Sequence, residues 1–302
     1  MTKDFQHRLE YFGVKFLIFL ANALPYRMAL RLGDGIGFIA FSIIRYRRHV
    51  SLGNLKKSFG QKYSDHQYKS IALRSYINLA RNLIEYMMFP RLVKTDLSQR
   101  IRVVNGDALK NHFKTGKGVV LISGHFGSWE LMGAYLAQAG WPIDFLVGVQ
   151  HNRFVNELMN RHRQIFGIGL IEIGVAARGV FAALKNGRGV AMLADQDAGN
   201  DGAIIDFLGR PASAVKGPAA FAIKTNTPIF YGAFVRQDLD HHVLYVEGPM
   251  AVEKTGDKEE DIKRLTQAYS DELAKYVTEY PDHWLWSHRR WKATCPDDYP
   301  KR

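Results

Sequence analysis

The stretch GVVLISGHFGSWE, residues 118–130, joins a short apolar run to a turn that contains two glycines and a histidine. The run GVVLI is free of polar residues and rich in valine, which predicts a strand buried on both faces of a sheet. The glycines permit a tight turn, and Ser128 predicts the N-cap of the next helix. His125 and Glu130 are therefore expected where a strand ends and a helix begins.

The alternation of strand and helix continues on both sides of this stretch. Short β-rich runs alternate with helical runs over residues 101–194, joined by a few Gly, Asn or Arg residues. This pattern predicts βαβ units, hence an α/β fold with a mainly parallel sheet flanked by helices. Residues 228–236 and 242–247 predict two further strands that add an antiparallel edge, and residues 258–279 predict a final helix. In such sheets ligands bind beyond the carboxyl ends of the strands.

The N-terminal segment is more apolar than the rest of the chain. Residues 12–24 and 36–44 are apolar runs, but each falls short of the roughly 20 residues of a spanning helix. The second run is followed by RYRRH, residues 45–49. Apolar faces with basic ends predict two helices that lie in a membrane interface; core helices of a soluble protein, or a single span, are the alternatives. We therefore expect a membrane-associating helical segment over residues 1–50 and an α/β domain over residues 51–302.

The charge of the chain indicates an anionic partner. Lys and Arg number 41 against 29 Asp and Glu, a net charge of +12. This surplus suits nucleic acid, an anionic lipid surface, a phosphorylated substrate or an acidic carrier protein. Cys295 is the only cysteine, so an intramolecular disulfide is excluded and a reducing compartment is permitted. The first residues carry no cleavable signal pattern, so we expect the N-terminus to be retained.

A second polar group follows a predicted strand in ADQDAG, residues 194–199. Asp195 or Asp197 is placed to accept the second imidazole N–H of His125, which fixes the tautomer and makes the imidazole a better base. The D-x-D spacing is also typical of metal-nucleotide sites in glycosyltransferases, and a turn cap is the structural alternative. Hydrogen bonding is favoured, because no Gly-rich phosphate loop follows the earlier strands.

Two basic segments offer further candidates. The predicted helix at residues 152–167 carries Arg153, Arg161 and Arg163, any of which can fork onto Glu130 or a substrate phosphate, or simply face solvent. Near the C-terminus, YPDHWLWSHRRWK (residues 280–292) places three tryptophans among basic residues. That pattern suits nucleic-acid stacking, a lipid headgroup boundary, or packing on the core.

Several blocks of the chain resemble one enzyme family. The sequence is similar to the bacterial lipid A late acyltransferases (lauroyl and myristoyl transferases) and to relatives that acylate phosphatidylinositol mannosides, within the glycerolipid acyltransferase superfamily. The blocks are RRHVSLGNLKKSF (47–59), GKGVVLISGHFGSWE (116–130), LKNGRGVAMLADQD (184–197) and PDHWLWSHRRWK (281–292). The resemblance therefore covers nearly the whole chain and implies a glycerolipid acyltransferase-like fold.

The resemblance also implies roles for individual residues. His125 would be the general base, Asp195 would orient it, and Glu130 would hold the motif through Arg163. Backbone N–H groups near Gly127 and Ser128 would hold the thioester oxyanion. The expected substrate-binding set is thus Arg163, Gly127, Ser128, Arg161 and Asp197.

The implied reaction is transfer of a fatty acyl chain from acyl carrier protein or acyl-CoA to a hydroxyl of a glycolipid, with a lipid A precursor as first choice. A lysophospholipid or a phosphatidylinositol mannoside is the alternative acceptor. We expect no metal, no cofactor and no nucleic-acid partner. We also expect an anionic membrane surface as a partner, at the cytoplasmic face of the inner membrane, with peripheral attachment or a single N-terminal anchor. A metal-dependent glycosyltransferase that uses Asp195 and Asp197, and a non-catalytic binding protein, are the hypotheses of other classes.

Overall fold

The computed structural model describes residues 3–299, apart from the side chain of Val175. Its helices are α1 (Lys3–Ala23), α2 (Tyr26–Phe38), α3 (Arg48–Phe59), α4 (Asp65–Met87), α5 (Phe89–Leu92), α6 (Asp107–Lys114), α7 (Trp129–Gln138), α8 (Arg153–Gln164), α9 (Ala176–Lys185), α10 (Gly217–Thr225) and α11 (Lys258–Glu279). Its strands are β1 (Ile101–Val104), β2 (Val119–Ser123), β3 (Ile143–Val147), β4 (Gly169–Glu172), β5 (Gly189–Leu193), β6 (Ala203–Asp206), β7 (Pro211–Ala214), β8 (Ile229–Arg236) and β9 (His242–Met250).

Seven strands form one mixed sheet in the order β1-β9-β8-β2-β5-β3-β4. Every neighbouring pair is parallel except β8–β9. All five residues of the central strand β2 are buried, and alternate residues enter two different core clusters, one on each face. The predicted α/β fold, a mainly parallel sheet flanked by helices, is confirmed. Its central strand is the apolar run that precedes His125.

The prediction that β8 and β9 form an antiparallel edge of the sheet is wrong about the edge. β8 and β9 do pair antiparallel, but β1 pairs with the other side of β9, so β9 lies inside the sheet. A four-residue run such as β1 takes its partner from tertiary packing, because short strands carry little intrinsic preference. β6 and β7 form a separate two-stranded sheet.

The N-terminal helices pack against the α/β part of the chain through one face only. Gly37 of α2 lies so close to α4 that an added Cβ would stand 2.5 Å from the Cα of Ile77. Helix α1 instead leaves a stripe of large apolar side chains more than half exposed, namely Phe5, Leu9, Phe12, Phe16 and Phe19. A five-residue π-helical turn, Ile39–Ile43, follows α2. Among the described residues, no helix has both the length and the apolar character needed to cross a bilayer.

Candidate active site

His125 and Asp195 follow two neighbouring strands of the sheet. β2 and β5 pair in parallel with Ser123 opposite Leu193, so the residues after both strands meet at the carboxyl edge. Nδ1 of His125 lies 2.7 Å from Oδ1 of Asp195, and the backbone N–H of His125 donates to Oδ2 at 2.8 Å. The expected hydrogen bond is present, and it leaves Nε2 as the imidazole nitrogen available to a substrate.

A further donor reaches Asp195 from the C-terminal segment. The indole N–H of Trp284 donates to Oδ2 of Asp195 at 2.9 Å, with both side chains buried. Phe126 and Trp284 form an antiparallel bridge, which ties the segment to the turn that carries His125. This contact was missed from the sequence, because an indole that meets a carboxylate leaves no spacing pattern. The abundance of Trp in residues 280–292 was the only available signal.

The surroundings shift both ionisable groups in the direction that suits a base and its orienting carboxylate. Burial lowers the pKa of His125, but the Asp195 carboxylate outweighs it, so the net pKa lies above the usual 6.5. Burial raises the pKa of Asp195, but the charge and N–H groups of His125, followed by the Trp284 N–H, hold it well below its usual range. Asp195 therefore stays ionised and His125 is a stronger base than free imidazole.

Glu130 and Arg163 form the second pair of the site. Nε of Arg163 donates to Oε2 of Glu130 at 3.0 Å, and Nη2 donates to Oε1 at 2.6 Å. The guanidinium also donates to Oδ1 of Asn160 and lies over the Tyr86 ring, 5.6 Å from its centroid. Only 12% and 13% of the two charged side chains are exposed. The expected contact between Glu130 and Arg163 is present, as a two-bond fork.

A cavity of about 270 Å³ connects the two pairs, because His125, Glu130 and Arg163 all line it. Its remaining wall is mainly apolar and comes from the face of the sheet and from helices α6, α7 and α8. Representative wall residues are Leu109, Leu121, Met132, Leu136, Phe145 and Phe230. An apolar space that starts beside a histidine suits a hydrocarbon chain with its reactive end at the imidazole.

The turn between His125 and α7 is held from both sides. Gly127 has φ +58°, and an added Cβ would stand 1.6 Å from the carbonyl oxygen of Phe234, so only glycine fits. Its N–H donates to the carbonyl of His283 at 2.9 Å, and its own carbonyl accepts from Nδ2 of Asn82. The N–H of Gly127, predicted as an oxyanion donor, is thus already used by a hydrogen bond within the protein in this structure.

Three other predicted substrate contacts lie outside the cavity lining. Ser128 occupies the N-cap position of α7, but its buried side chain makes no capping bond. Asp197 accepts N–H groups from Gly199 and Ala293 and so fixes a loop. Arg161 is 74% exposed and faces Glu157 across one helical turn at 3.8 Å. Two residues along a helix separate it from Arg163, so the two side chains point to different faces.

The C-terminal tryptophans are part of the core. Trp284, Trp286 and Trp291 are at most 2% exposed, and their rings pack on one another and on Phe207. Base stacking needs exposed rings, so the nucleic-acid interpretation of this segment is wrong. Packing on the core, the structural alternative, is confirmed.

The D-x-D pair serves hydrogen bonding. Both oxygens of Asp195 accept from His125, with Trp284 as an additional donor, and both oxygens of Asp197 accept backbone N–H groups. Carboxylates occupied in this way do not favour the metal-dependent glycosyltransferase interpretation.

Three curated relatives that align with most of this chain are acyltransferases by name. It is 25% identical to the lipid A biosynthesis palmitoleoyltransferase of Escherichia coli (strain K12), over 97% of this chain and 94% of that protein. It is 21% identical to the lauroyltransferase of the same organism, over 95% and 92%. It is 24% identical to the phosphatidylinositol mannoside acyltransferase of Mycolicibacterium smegmatis, over 74% and 73%.

The family described as bacterial lipid A biosynthesis acyltransferase matches residues 2–293. That match includes every residue of the site described above. The chain therefore belongs to the bacterial lipid A biosynthesis acyltransferase family, and it is an acyltransferase.

Proposed function

We propose that this enzyme moves a fatty acyl chain from a thioester, carried by acyl carrier protein or coenzyme A, to a hydroxyl of a glycolipid, with a lipid A precursor as the acceptor. The observation that carries the proposal is the apolar cavity lined by His125, whose imidazole is hydrogen-bonded to Asp195. Family membership supports glycolipid acyl transfer, and the Escherichia coli relatives support the lipid A acceptor.

In the proposed reaction His125 acts as general base. Nε2 removes the proton of the acceptor hydroxyl while its oxygen attacks the thioester carbonyl, because a neutral hydroxyl is a poor nucleophile. The tetrahedral intermediate then expels the carrier's thiolate, which takes the proton from His125. Asp195 orients the imidazole and stabilises its charged form through Nδ1. This sequence forms no covalent bond to the enzyme and requires no metal.

Glu130 and Arg163 are proposed to act together beside the cavity. The Glu130 carboxylate holds the guanidinium in one orientation through two hydrogen bonds. Arg163 then presents its positive charge to an anionic group of the bound substrate, or to an oxygen that becomes negative during the reaction. Gly127 has no part in this proposal.

We place the enzyme at the cytoplasmic face of the inner membrane, attached peripherally or by a single N-terminal anchor. The exposed Phe/Leu stripe of α1 supports contact with lipid through residues 1–50, while residues 51–302 form the catalytic part. The net charge of +12 supports an anionic membrane surface and an acidic donor protein as partners.

A phosphatidylinositol mannoside, or a lysophospholipid, is the second candidate acceptor. The similarity to the mycolicibacterial enzyme named for that glycolipid favours the first of these.

The test is transfer of radiolabelled acyl groups from acyl carrier protein and from acyl-CoA to lipid A precursors, lysophospholipids and mannosylated lipids, under excess chelator. His125→Ala is expected to lower the rate by about 10²–10⁴-fold, the usual contribution of a positioned base. His66→Ala, a change of an exposed histidine on α4, is the control. The proposal would be refuted if none of these acceptor lipids received a labelled acyl group, or if the His125→Ala variant were as active as wild type.

A further inference from the structure

Asp195 makes different contacts through its two oxygens. Oδ1 meets Nδ1 of His125 at 2.7 Å, whereas Oδ2 accepts the backbone N–H of His125 at 2.8 Å and the indole N–H of Trp284 at 2.9 Å. A carboxylate held by one oxygen only can rotate about its Cβ–Cγ bond. Two donors on Oδ2, one from the main chain and one from a buried ring, fix that rotation.

Trp284 is itself held firmly. The side chain is 2% exposed, and its ring packs against those of Phe207 and Trp286, with centroids 5.3 and 4.7 Å away. Its main chain pairs with Phe126, and the neighbouring carbonyl of His283 accepts from Gly127. The indole N–H therefore has one fixed direction, toward Asp195.

We propose that Trp284 is a positioning residue: its indole N–H and the His125 main chain together hold Oδ2 of Asp195, which aims Oδ1 at Nδ1 of the imidazole. The proposal rests on the proposed function for the role of His125, but the contact it describes is measurable without any substrate. A buried indole that donates to the carboxylate also shares its negative charge.

The consequence for His125 has a definite sign. When the Trp284 N–H is absent, the main-chain N–H of His125 still keeps the carboxylate beside the imidazole, although its rotation is less restricted. The charge of Asp195 is then less shared and stabilises the imidazolium more strongly, so the pKa of His125 rises. The other groups around the pair stay unchanged in such a variant. They are Glu130 on α7, Tyr231 on β8, Asp197 after β5, and His288 and Arg290 in the C-terminal segment.

The test replaces Trp284 with 3-benzothienylalanine, which keeps the shape of the ring and lacks the N–H, and in parallel makes Trp284→Phe. Trp286 is the matched control, because its side chain is also buried and its N–H donates to the carbonyl of Pro281 at 2.6 Å, away from Asp195. Titration of ¹⁵N-labelled histidine by NMR, with His125 assigned from a His125→Gln spectrum, is expected to show a higher pKa in both Trp284 variants and no change in the same Trp286 variants.

The kinetic arm measures acyl transfer. Loss of the Trp284 N–H is expected to lower kcat about 10-fold, roughly the effect of one hydrogen bond to a charged group. KM for the donor is expected to stay unchanged, and the acid limb of the pH profile to move to higher pH. An unchanged His125 titration, or equal effects at positions 284 and 286, would overturn the proposal. Should wild type transfer no acyl group, the proposed function fails, while the NMR titration still decides the role of Trp284.

Discussion

Arg163 and Arg161 lie two residues apart on α8, on different faces, and only Arg163 belongs to the site. Arg163 is forked onto Glu130 and lines the cavity, whereas Arg161 is exposed. Lysine keeps the charge but cannot form the two-bond fork. We expect Arg163→Lys to lower kcat/KM by about 10-fold or more, since a charge-assisted hydrogen bond is lost, and Arg161→Lys to leave it unchanged. Steady-state assays of both variants check this, and equal effects would contradict the assignment of Arg163.

Asp195 should control how the reaction depends on pH. His125 must be neutral to accept a proton, so kcat/KM is expected to rise with pH and to reach half its maximum above pH 6.5, because the pKa of His125 is raised. Asp195→Asn removes the charge that raises it and puts an amide against three N–H donors. We expect about 10³–10⁴-fold lower kcat from the variant, as for other orienting carboxylates. A wild-type profile that falls with rising pH below pH 8 would contradict His125 as base.

Helix α4 and strand β8 are joined beneath the catalytic turn by a buried ion pair. Arg236 donates to both oxygens of Glu85 at 2.9 and 2.7 Å, and the two side chains are 3% and 0% exposed. Arg236 also donates to Asn82, whose amide holds the carbonyl of Gly127. The pair therefore supports the turn that places His125.

We expect Glu85→Gln to lower the free energy of unfolding by about 3–5 kcal/mol, because it leaves the Arg236 guanidinium buried with its charge unpaired. Urea denaturation gives the value. Glu259→Gln, which breaks an exposed pair with Lys216, should change it by about 0.5 kcal/mol or less. Similar values for the two variants would mean that the buried pair does not support the fold as inferred.

The sequence predicts elements better than it predicts their contacts. The apolar run before His125, the strand at residues 189–193 and the final helix follow from periodicity and composition alone. The partner of β1 and the β7 strand PASA do not, because their pairing depends on tertiary packing. At the site, strand ends predicted His125 and Asp195, whereas the use of the Gly127 N–H by His283 required the C-terminal segment to be placed.

On the scale of the whole molecule, the exposed apolar stripe of α1 predicts lipid contact. Two consecutive turns carry Phe12 and Phe16, which are 63% and 60% exposed. We expect Phe12→Ser with Phe16→Ser to weaken binding to phosphatidylglycerol-containing vesicles by about 10-fold or more, because each inserted ring contributes apolar burial. Ile204→Ser, at a half-exposed position on β6, is the control in the same flotation assay. Unaltered vesicle binding by the double variant would remove α1 from the membrane-facing surface.

Buried ionisable groups of both signs set how the stability of the whole molecule depends on pH. Burial, followed by the charge of Arg236, lowers the pKa of His242 to about 3, so between pH 6.5 and 3 this histidine binds its proton mainly in the unfolded chain, and stability falls as pH falls. The pKa of Glu85, lowered to about 2 because Arg236 outweighs its burial, adds a second loss below pH 4.5.

His125 affects the pH dependence of stability in the opposite direction. Its raised pKa contributes stability that is fully present below pH 6.5 and is lost as pH rises through the folded-state value. These three groups contribute a maximum of stability near or somewhat above pH 6.5. The lowered pKa values of His162 and His288, both caused mainly by burial, and of Asp195 steepen the decline on the acid side. Urea midpoints measured from pH 8 to pH 4 test this curve. His242→Phe, which keeps a ring stacked on Phe234, should flatten the decline between pH 6.5 and 4.5 and leave the decline below pH 4.5, because only the histidine contribution is removed. An equally steep decline in that variant would assign the acid sensitivity to groups other than His242.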